Sequence, residues 1–436
     1  MKKFLVIKKK INSFNKTIKI DGDKSLSIRW VLISSLSKRK SIAHNLLKSE
    51  DVISSINCIK KLGSKVKFFK DKCEITGNGF DIKNKDKIYL DAGNSGTLAR
   101  LILGLLINSK NQIILKGDKS LSKRDFSRII QPLKRFGAKF GFKKKLPLTM
   151  KGLENPKPIK YVEKKGSAQC KTSVMLAALK TNGSTIIKAK KSRDHTELLF
   201  KNLKVPMKIK KSGKYDLIEL KGIDKVSPLN YRIPGDISSS AFFIVLTILS
   251  NNSQLLIRSV NINPSRTGVI TILKKMGANI KFINKKIYKG EKIADIYVKS
   301  TKKLKSINCP PKLNSSAIDE FLIIFLVAAK SEGISFFKNL EELNQKESPR
   351  LIWASKILSS MGVKNIMTKD SLKIYGNPNL NLKSKITVKN FLKDHRVFMM
   401  SVIAGLTFGG KWSIYDTDSI KTSFPRFLKI IRELRT

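Results

Sequence analysis

One helix ending recurs four times along this chain: "IKKLGSKVKFF", "LKRFGAKFGF", "LKKMGANIKF" and "LSSMGVKNI". In each, a glycine (Gly63, Gly137, Gly277, Gly362) follows the last apolar position of a helical pattern, and a strand pattern follows the glycine. Glycine takes the left-handed turn that closes a helix at no steric cost. A fifth copy, "LFKNLKVPMKI", passes near Val205 without glycine, and "FPRFLKIIREL" closes the chain as a sixth. Six endings in 436 residues give a period of about 73. An internal repeat of this kind decides the architecture before any single element does.

Each unit reads helix, strand, helix, then a strand or hairpin. The first helix of a unit opens on Gly, Ser or Asp and then turns apolar, as in "DGDKSLSIRWVLISSL", "DAGNSGTLARLILGLL" and "PGDISSSAFFIVL". Such residues cap free amides and let backbones approach. The same helix starts are anion sites, because free N–H groups and the positive dipole end point outward. The sixth unit stops at Thr436 without its last strands, so "KFLVIKK" and "KTIKI" from the N-terminus are expected to supply them. One domain is then continuous over 20–235, and the other combines 1–19 with 236–436. Each holds three βαβαββ units of the α/β class, and a ligand is expected in the cleft between them.

Charge restricts the function. The formal net charge is +56, from 88 Lys and Arg against 32 Asp and Glu. Only 15 of the cations are arginine; the lysines are scattered over the whole length, with no basic tail and no aromatic-interleaved stripe. That pattern reads as a lysine-rich surface that attracts small anions rather than as a nucleic-acid footprint. Arg29, Arg100, Arg124, Arg193, Arg266, Arg350 and Arg396 all lie at or near helix starts. Their planar fork grips carboxylate and phosphate as lysine cannot. Arg128, Arg135 and Arg432 read as ordinary helix-surface charges. Cys58, Cys73, Cys170 and Cys309 form no CxxC pair and are expected to be buried. The histidines show no metal-ligand spacing. No apolar run reaches the ~18 residues of a membrane span, and Phe4–Ile7 is too short for a secretory core. A cytoplasmic monomer is expected.

Eleven segments now carry a resemblance: "GDKSLSIR", "GNSGTLAR", "GDKSLSKR", "GSAQCKTS", "SRDHTE", "PGDISSSAFF", "NPSRTGVI", "IDEFLIIFLVAA", "KESPR", "DHRVFMM" and "TSFPRF". Together, in this order, they resemble the signature segments of the 5-enolpyruvylshikimate-3-phosphate synthase family. The resemblance implies an inside-out α/β barrel of the enolpyruvyl transferase type. It also implies transfer of an enolpyruvyl group from phosphoenolpyruvate to the 5-hydroxyl of shikimate 3-phosphate, with no metal or organic cofactor. Asp319 matches the family's base, and Glu347 with Lys346 its acid/base pair near the methylene carbon. Lys24 matches the lysine that reaches both substrates; standing alone it would read as a solvated helix-start lysine. Ser25, Arg29, Ser167, Ala168, Gln169, Ser192 and Arg193 match the shikimate 3-phosphate pocket, to which Asp319 and Lys346 contribute. Asn94, Gly96, Arg100, Arg124, Gln169, Arg350 and Arg396 match the phosphoenolpyruvate pocket. Glu320, beside Asp319, reads as a charge complementing a helix dipole.

The chain departs from the family pattern at several places. Asp21 and Asp125 stand where proline is usual, and Ile28 where a polar residue is usual. Pro349 replaces an aspartate before Arg350, removing a charge partner, and Ser348 is expected to become the N-cap with Pro349 as the first helical residue. Thr422 takes the place of a lysine, leaving Lys421 as the substitute candidate. Two other functions compete. A sister transferase acting on UDP-N-acetylglucosamine uses a loop cysteine, and none lies near "GDKSLSKR". A basic nucleic-acid-binding protein would show strongly salt-dependent affinity.

Overall fold

The computed structural model describes residues 4–80 and 86–436. The chain divides into two compact units: one comprises Met1–Asp21, Pro234–Tyr288 and Lys292–Thr436, the other Gly22–Ile233 with Lys289–Glu291. Among the described residues there are six sheets.

The repeated endings are local, and their geometry explains them. Gly63, Gly137, Gly277 and Gly362 have φ of 102°, 109°, 91° and 72°. After each, the next amide reaches back to a carbonyl in the last helical turn, as Ser64 N–H does to Ile59 O (2.9 Å) and Val363 N–H to Leu358 O (2.9 Å). In the copy without glycine, Lys204 adopts the left-handed turn at φ 56°, and Val205 N–H closes on Phe200 O at 3.0 Å. The same two-bond closure therefore holds with or without glycine.

Each repeat is a small sheet whose lead strand runs parallel to a core strand, followed by antiparallel partners. In the second repeat, Lys87–Asp91 pairs parallel with Gln112–Lys116, which pairs antiparallel with Leu148–Lys151. The third is built the same way from Lys160–Glu163, Ser184–Lys190, Tyr215–Lys221 and Met207–Ser212. The closure expected of the N-terminus holds for one strand. Phe4–Ile7 pairs antiparallel with Gly409–Tyr415 in the sixth repeat. Asn15–Lys19 instead runs parallel to Gln254–Asn261 in the fourth, and Tyr231–Arg232 leads the first, parallel to Ser41–His44. Every sheet but the fifth begins with a parallel lead strand, so a strand placed just before a chain crossing completes the repeat it can reach. In the fifth repeat that lead is reduced to parallel bridges at Lys305 and Asn308.

The six core helices are Lys24–Ser34, Gly96–Leu105 and Ala168–Ala178 in one unit, and Ile237–Leu249, Phe321–Lys330 and His395–Phe408 in the other. All thirteen residues of Ile237–Leu249 and all fourteen of His395–Phe408 are buried. A helix apolar on every face is stable only when enclosed. The helices of each unit accordingly pack on one another, with sheets outside them. Small residues set the approach: a Cβ on Gly104 would lie 2.1 Å from the backbone oxygen of Ser173 on the next core helix. The four cysteines are free and buried, and burial pushes the Cys58 and Cys73 thiols up to about 12. Among the described residues no helix is long and apolar enough to cross a membrane.

Because the Gly104–Ser173 contact leaves no room, Gly104→Ala is expected to destabilise the protein by about 1–3 kcal/mol through overpacking. Urea denaturation measures this, and an unshifted midpoint would show that the two helices can separate freely.

Candidate active site

Polar residues enter each unit at the N-termini of its core helices. In the continuous unit these ends are capped by Asp23, Ser95 and Ser167, whose side chains accept from the amides of Leu26, Leu98 and Cys170. Lys24, at the first of these ends, pairs with Asp51 at 2.9 Å. At the second, Arg100 donates from Nη1 to Gly96 O and to Gln169 Oε1, both at 3.0 Å. Gln169 in turn donates to Thr97 Oγ1 at 2.9 Å. A Cβ on Gly96 would lie 2.7 Å from Nη1 of Arg100 and 2.9 Å from Nη1 of Arg124. Two guanidinium groups thus converge on a backbone that has no side chain. Asn94 donates to Asp118 at 2.6 Å.

Arg29 sits deeper and is 4% exposed. It donates to Thr196 (2.9 Å), Thr172 (3.1 Å) and the Ser25 carbonyl (3.0 Å). It therefore ties the Lys24 helix start to the segment carrying Ser192 and Arg193. The Ser192 hydroxyl is buried and makes no hydrogen bond among the described residues. Ser167, Ala168 and Gln169 are half-buried at the start of their helix.

In the other unit a single guanidinium organises the carboxylates. Arg350, 2% exposed, donates from Nε to Asp394 Oδ2 at 2.9 Å, from Nη1 to Asp319 Oδ1 at 3.4 Å and from Nη2 to Glu347. Burial works against its charge, but Asp394, Glu347 and Asp319 more than offset that and hold it protonated, well above the ordinary arginine range. Lys346 reaches the same Asp319 oxygen at 3.2 Å. Arg396 lies beside this group, 8% exposed. Its Nε and Nη1 are buried and make no hydrogen bond among the described residues. Its charge is met by Glu320 at 3.8 Å and by the Phe242 ring at 5.8 Å. Among the described residues no cluster of three or more His, Cys, Asp or Glu is arranged to hold a metal ion.

Residues 8–431 match the family described as EPSP synthase (3-phosphoshikimate 1-carboxyvinyltransferase). The chain belongs to the EPSP synthase family. A relative named 3-phosphoshikimate 1-carboxyvinyltransferase, from Caldicellulosiruptor saccharolyticus, is 37% identical over 95% of both chains. One of the same name from Ruthia magnifica is 37% identical over 100% of this chain and 98% of its own. The EPSP synthase structure from Acinetobacter baumannii superposes with a TM-score of 0.86 at 33% identity, covering 100% of this chain and 98% of that one. An enolpyruvyl transferase, NikO from Streptomyces tendae, shares the fold at a TM-score of 0.76 and 12% identity. The fold is therefore the two-domain inside-out α/β type.

Several departures from the EPSP synthase pattern now have physical explanations. Ser348 is not the helix N-cap: Pro349 occupies that position, and the Ser348 hydroxyl donates to Asp394 at 2.9 Å. Asp394 pulls the serine inward, and it stands as the charge partner that Pro349 cannot be. Asp125 replaces a rigid turn by accepting from the Ser127 amide at 2.7 Å and its hydroxyl at 3.1 Å. Ile28 is fully buried. Asp21 pairs with Arg426 at 3.0 Å, and burial raises its carboxyl pKa despite that pairing. Thr422 bonds His395 Nδ1 at 3.3 Å, while Lys421 is exposed.

Three residues were missed or misread. Asp394 joins Arg350, Ser348 and the Arg396 amide; its signal was its place as a polar residue just before an apolar helix. Glu320 is 1% exposed and accepts from Ser238, so it is far more than a dipole charge at a helix surface. Arg128 is no plain surface charge either, because it binds the buried Glu163 at 3.0 Å.

Removing Arg350 would take from three carboxylates the cation they share. Arg350→Met is expected to lower stability by about 3–5 kcal/mol, read from urea denaturation. A change below about 1 kcal/mol would mean the cluster does not depend on this cation.

Proposed function

We propose that this chain transfers the enolpyruvyl group of phosphoenolpyruvate to the 5-hydroxyl of shikimate 3-phosphate and releases phosphate. The observation that carries this reading is the joint hold of Arg350 on Asp319 and Glu347, with Lys346 on the same Asp319 oxygen. A base, an acid and their cations stand within hydrogen-bond reach of one another, as proton transfer at two adjacent atoms requires. Asp319 takes the hydroxyl proton as the oxygen attacks C2 of phosphoenolpyruvate. Glu347, with Lys346, delivers a proton to the methylene carbon. The tetrahedral adduct then loses that carbon's proton and expels phosphate, restoring the double bond. These steps need only proton transfer and charge neutralisation.

The reactants are anions throughout, so binding falls to the cations and helix starts. Arg100, Arg124, Arg350 and Arg396 take the phosphate and carboxylate of phosphoenolpyruvate, with Asn94, Gln169 and the bare backbone at Gly96. The buried Nε and Nη1 of Arg396, which make no hydrogen bond among the described residues, support this assignment, since buried donors without hydrogen bonds are costly unless an anion fills the place. Shikimate 3-phosphate is held by Lys24, Ser25, Arg29, the Ser167–Gln169 helix start, Ser192 and Arg193, with Asp319 and Lys346 at its hydroxyl. We read the enzyme as a cytoplasmic monomer that uses its basic surface to attract these substrates rather than nucleic acid.

Phosphate release should require both substrates together, and Asp319→Asn should lower kcat by about 10²–10⁴-fold while shikimate 3-phosphate still binds. Release with either substrate alone, or full activity in the variant, would overturn the base assignment. A methyl group at position 96 should displace the two guanidinium groups. Gly96→Ala is therefore expected to raise KM for phosphoenolpyruvate about tenfold or more, with KM for shikimate 3-phosphate nearly unchanged. Equal changes in both constants would contradict the placement of Arg100 and Arg124.

A further inference from the structure

Glu163 ends the strand Lys160–Glu163, just ahead of the Ser167 helix start, and is 3% exposed. A carboxylate taken out of water must find donors. Here it finds four. Oε1 accepts from the Lys165 amide at 3.3 Å and from Arg128 Nη2 at 3.0 Å. Oε2 accepts from the Gly166 amide and, at 2.9 Å, from the Ser167 amide. Three consecutive backbone N–H groups thus close on one anion, a concavity of the kind that binds phosphate elsewhere. Gly166 makes this possible with φ 75°. A Cβ there would touch Lys191 O at 3.4 Å, so the loop lies against the chain that leads into Ser192 and Arg193.

The consequence falls on Ser167. Its amide is held by Glu163 and its hydroxyl accepts from Cys170 N–H at 3.3 Å. Both bonds are internal to the protein, and Ala168 and Gln169 follow directly. We propose that Glu163, braced by Arg128, is a positioning residue that presets the Ser167–Gln169 turn for shikimate 3-phosphate. The inference rests on the functional reading above. Glu163 does not touch the substrate. It fills the loop's own anion hole from within, so the turn is ordered before binding and its ordering cost does not weaken affinity.

Glu163→Gln keeps the shape but replaces one acceptor with a donor facing donors. Its dissociation constant for shikimate 3-phosphate, by calorimetry, should rise about tenfold or more. Because Gln169 also serves phosphoenolpyruvate, KM for that substrate should rise less than the shikimate 3-phosphate constant while kcat stays within about twofold of the parent, a split that a general loss of structure would not produce. Arg128→Met, at a half-exposed side chain, tests the brace if the first variant folds poorly; it should raise the same constant several-fold. Unchanged affinity in either folded variant overturns the proposal, as does a parallel loss of kcat and both affinities. The functional reading fails separately, if the parent protein binds shikimate 3-phosphate but releases no phosphate when phosphoenolpyruvate is added.

Discussion

Six core helices that are buried over most of their length cannot lie on a surface, and the remaining structure answers that constraint. The hydrophobic effect drives them inward, so each unit encloses three of them and leaves its sheets outside. A buried helix can meet water only at its ends. Asp23, Ser95, Ser167, Asp236 and Asp394 all cap such ends with side chains that accept backbone amides. Chemistry is therefore confined to a few helix starts, where free amides and the positive dipole end already favour anions.

Charge at these starts is paired within the protein itself. Arg350 holds Asp319, Glu347 and Asp394, and Lys24 holds Asp51. Such pairing fixes the geometry of groups that would otherwise repel or wander. A preset arrangement does not have to reorganise during reaction, which is where most electrostatic catalysis originates. Arg396 is the contrast: its Nε and Nη1 make no hydrogen bond among the described residues, and its charge is met at longer range by Glu320 at 3.8 Å and the Phe242 ring at 5.8 Å.

Much of this was legible in the residues, and the boundary is physical. Helix endings depend on a few neighbouring dihedrals, so Gly63, Gly137, Gly277 and Gly362 announced them, and Lys204 could stand in because the closing bonds are backbone bonds. Core-helix starts were equally visible as Gly/Ser/Asp clusters ahead of apolar runs. Long-range pairings were not. No local pattern says that Asn15–Lys19 joins the fourth repeat or that Tyr231–Arg232 leads the first, because parallel strands carry no turn signal between them. Ser348 was read as a cap, but a buried Asp394 forty-six residues away claims its hydroxyl. Arg128 looked like surface charge because its partner Glu163 is distant in sequence and hidden.

The exchange of lead strands bears on how the polypeptide can be made. Residues 22–233 contain every strand of the first three repeats, so that half can finish its sheets while still emerging from a ribosome. The other half cannot. Phe4–Ile7 and Asn15–Lys19 appear first, yet their partners are Gly409–Tyr415 and Gln254–Asn261. Domains tend to fold as units in order of synthesis, so these two N-terminal strands must wait, exposed, through most of translation. Lys8, Lys9 and Lys10 just after the first strand and Lys16 and Lys19 in the second are suited to that wait, since charge at an unpaired strand edge discourages association with other chains.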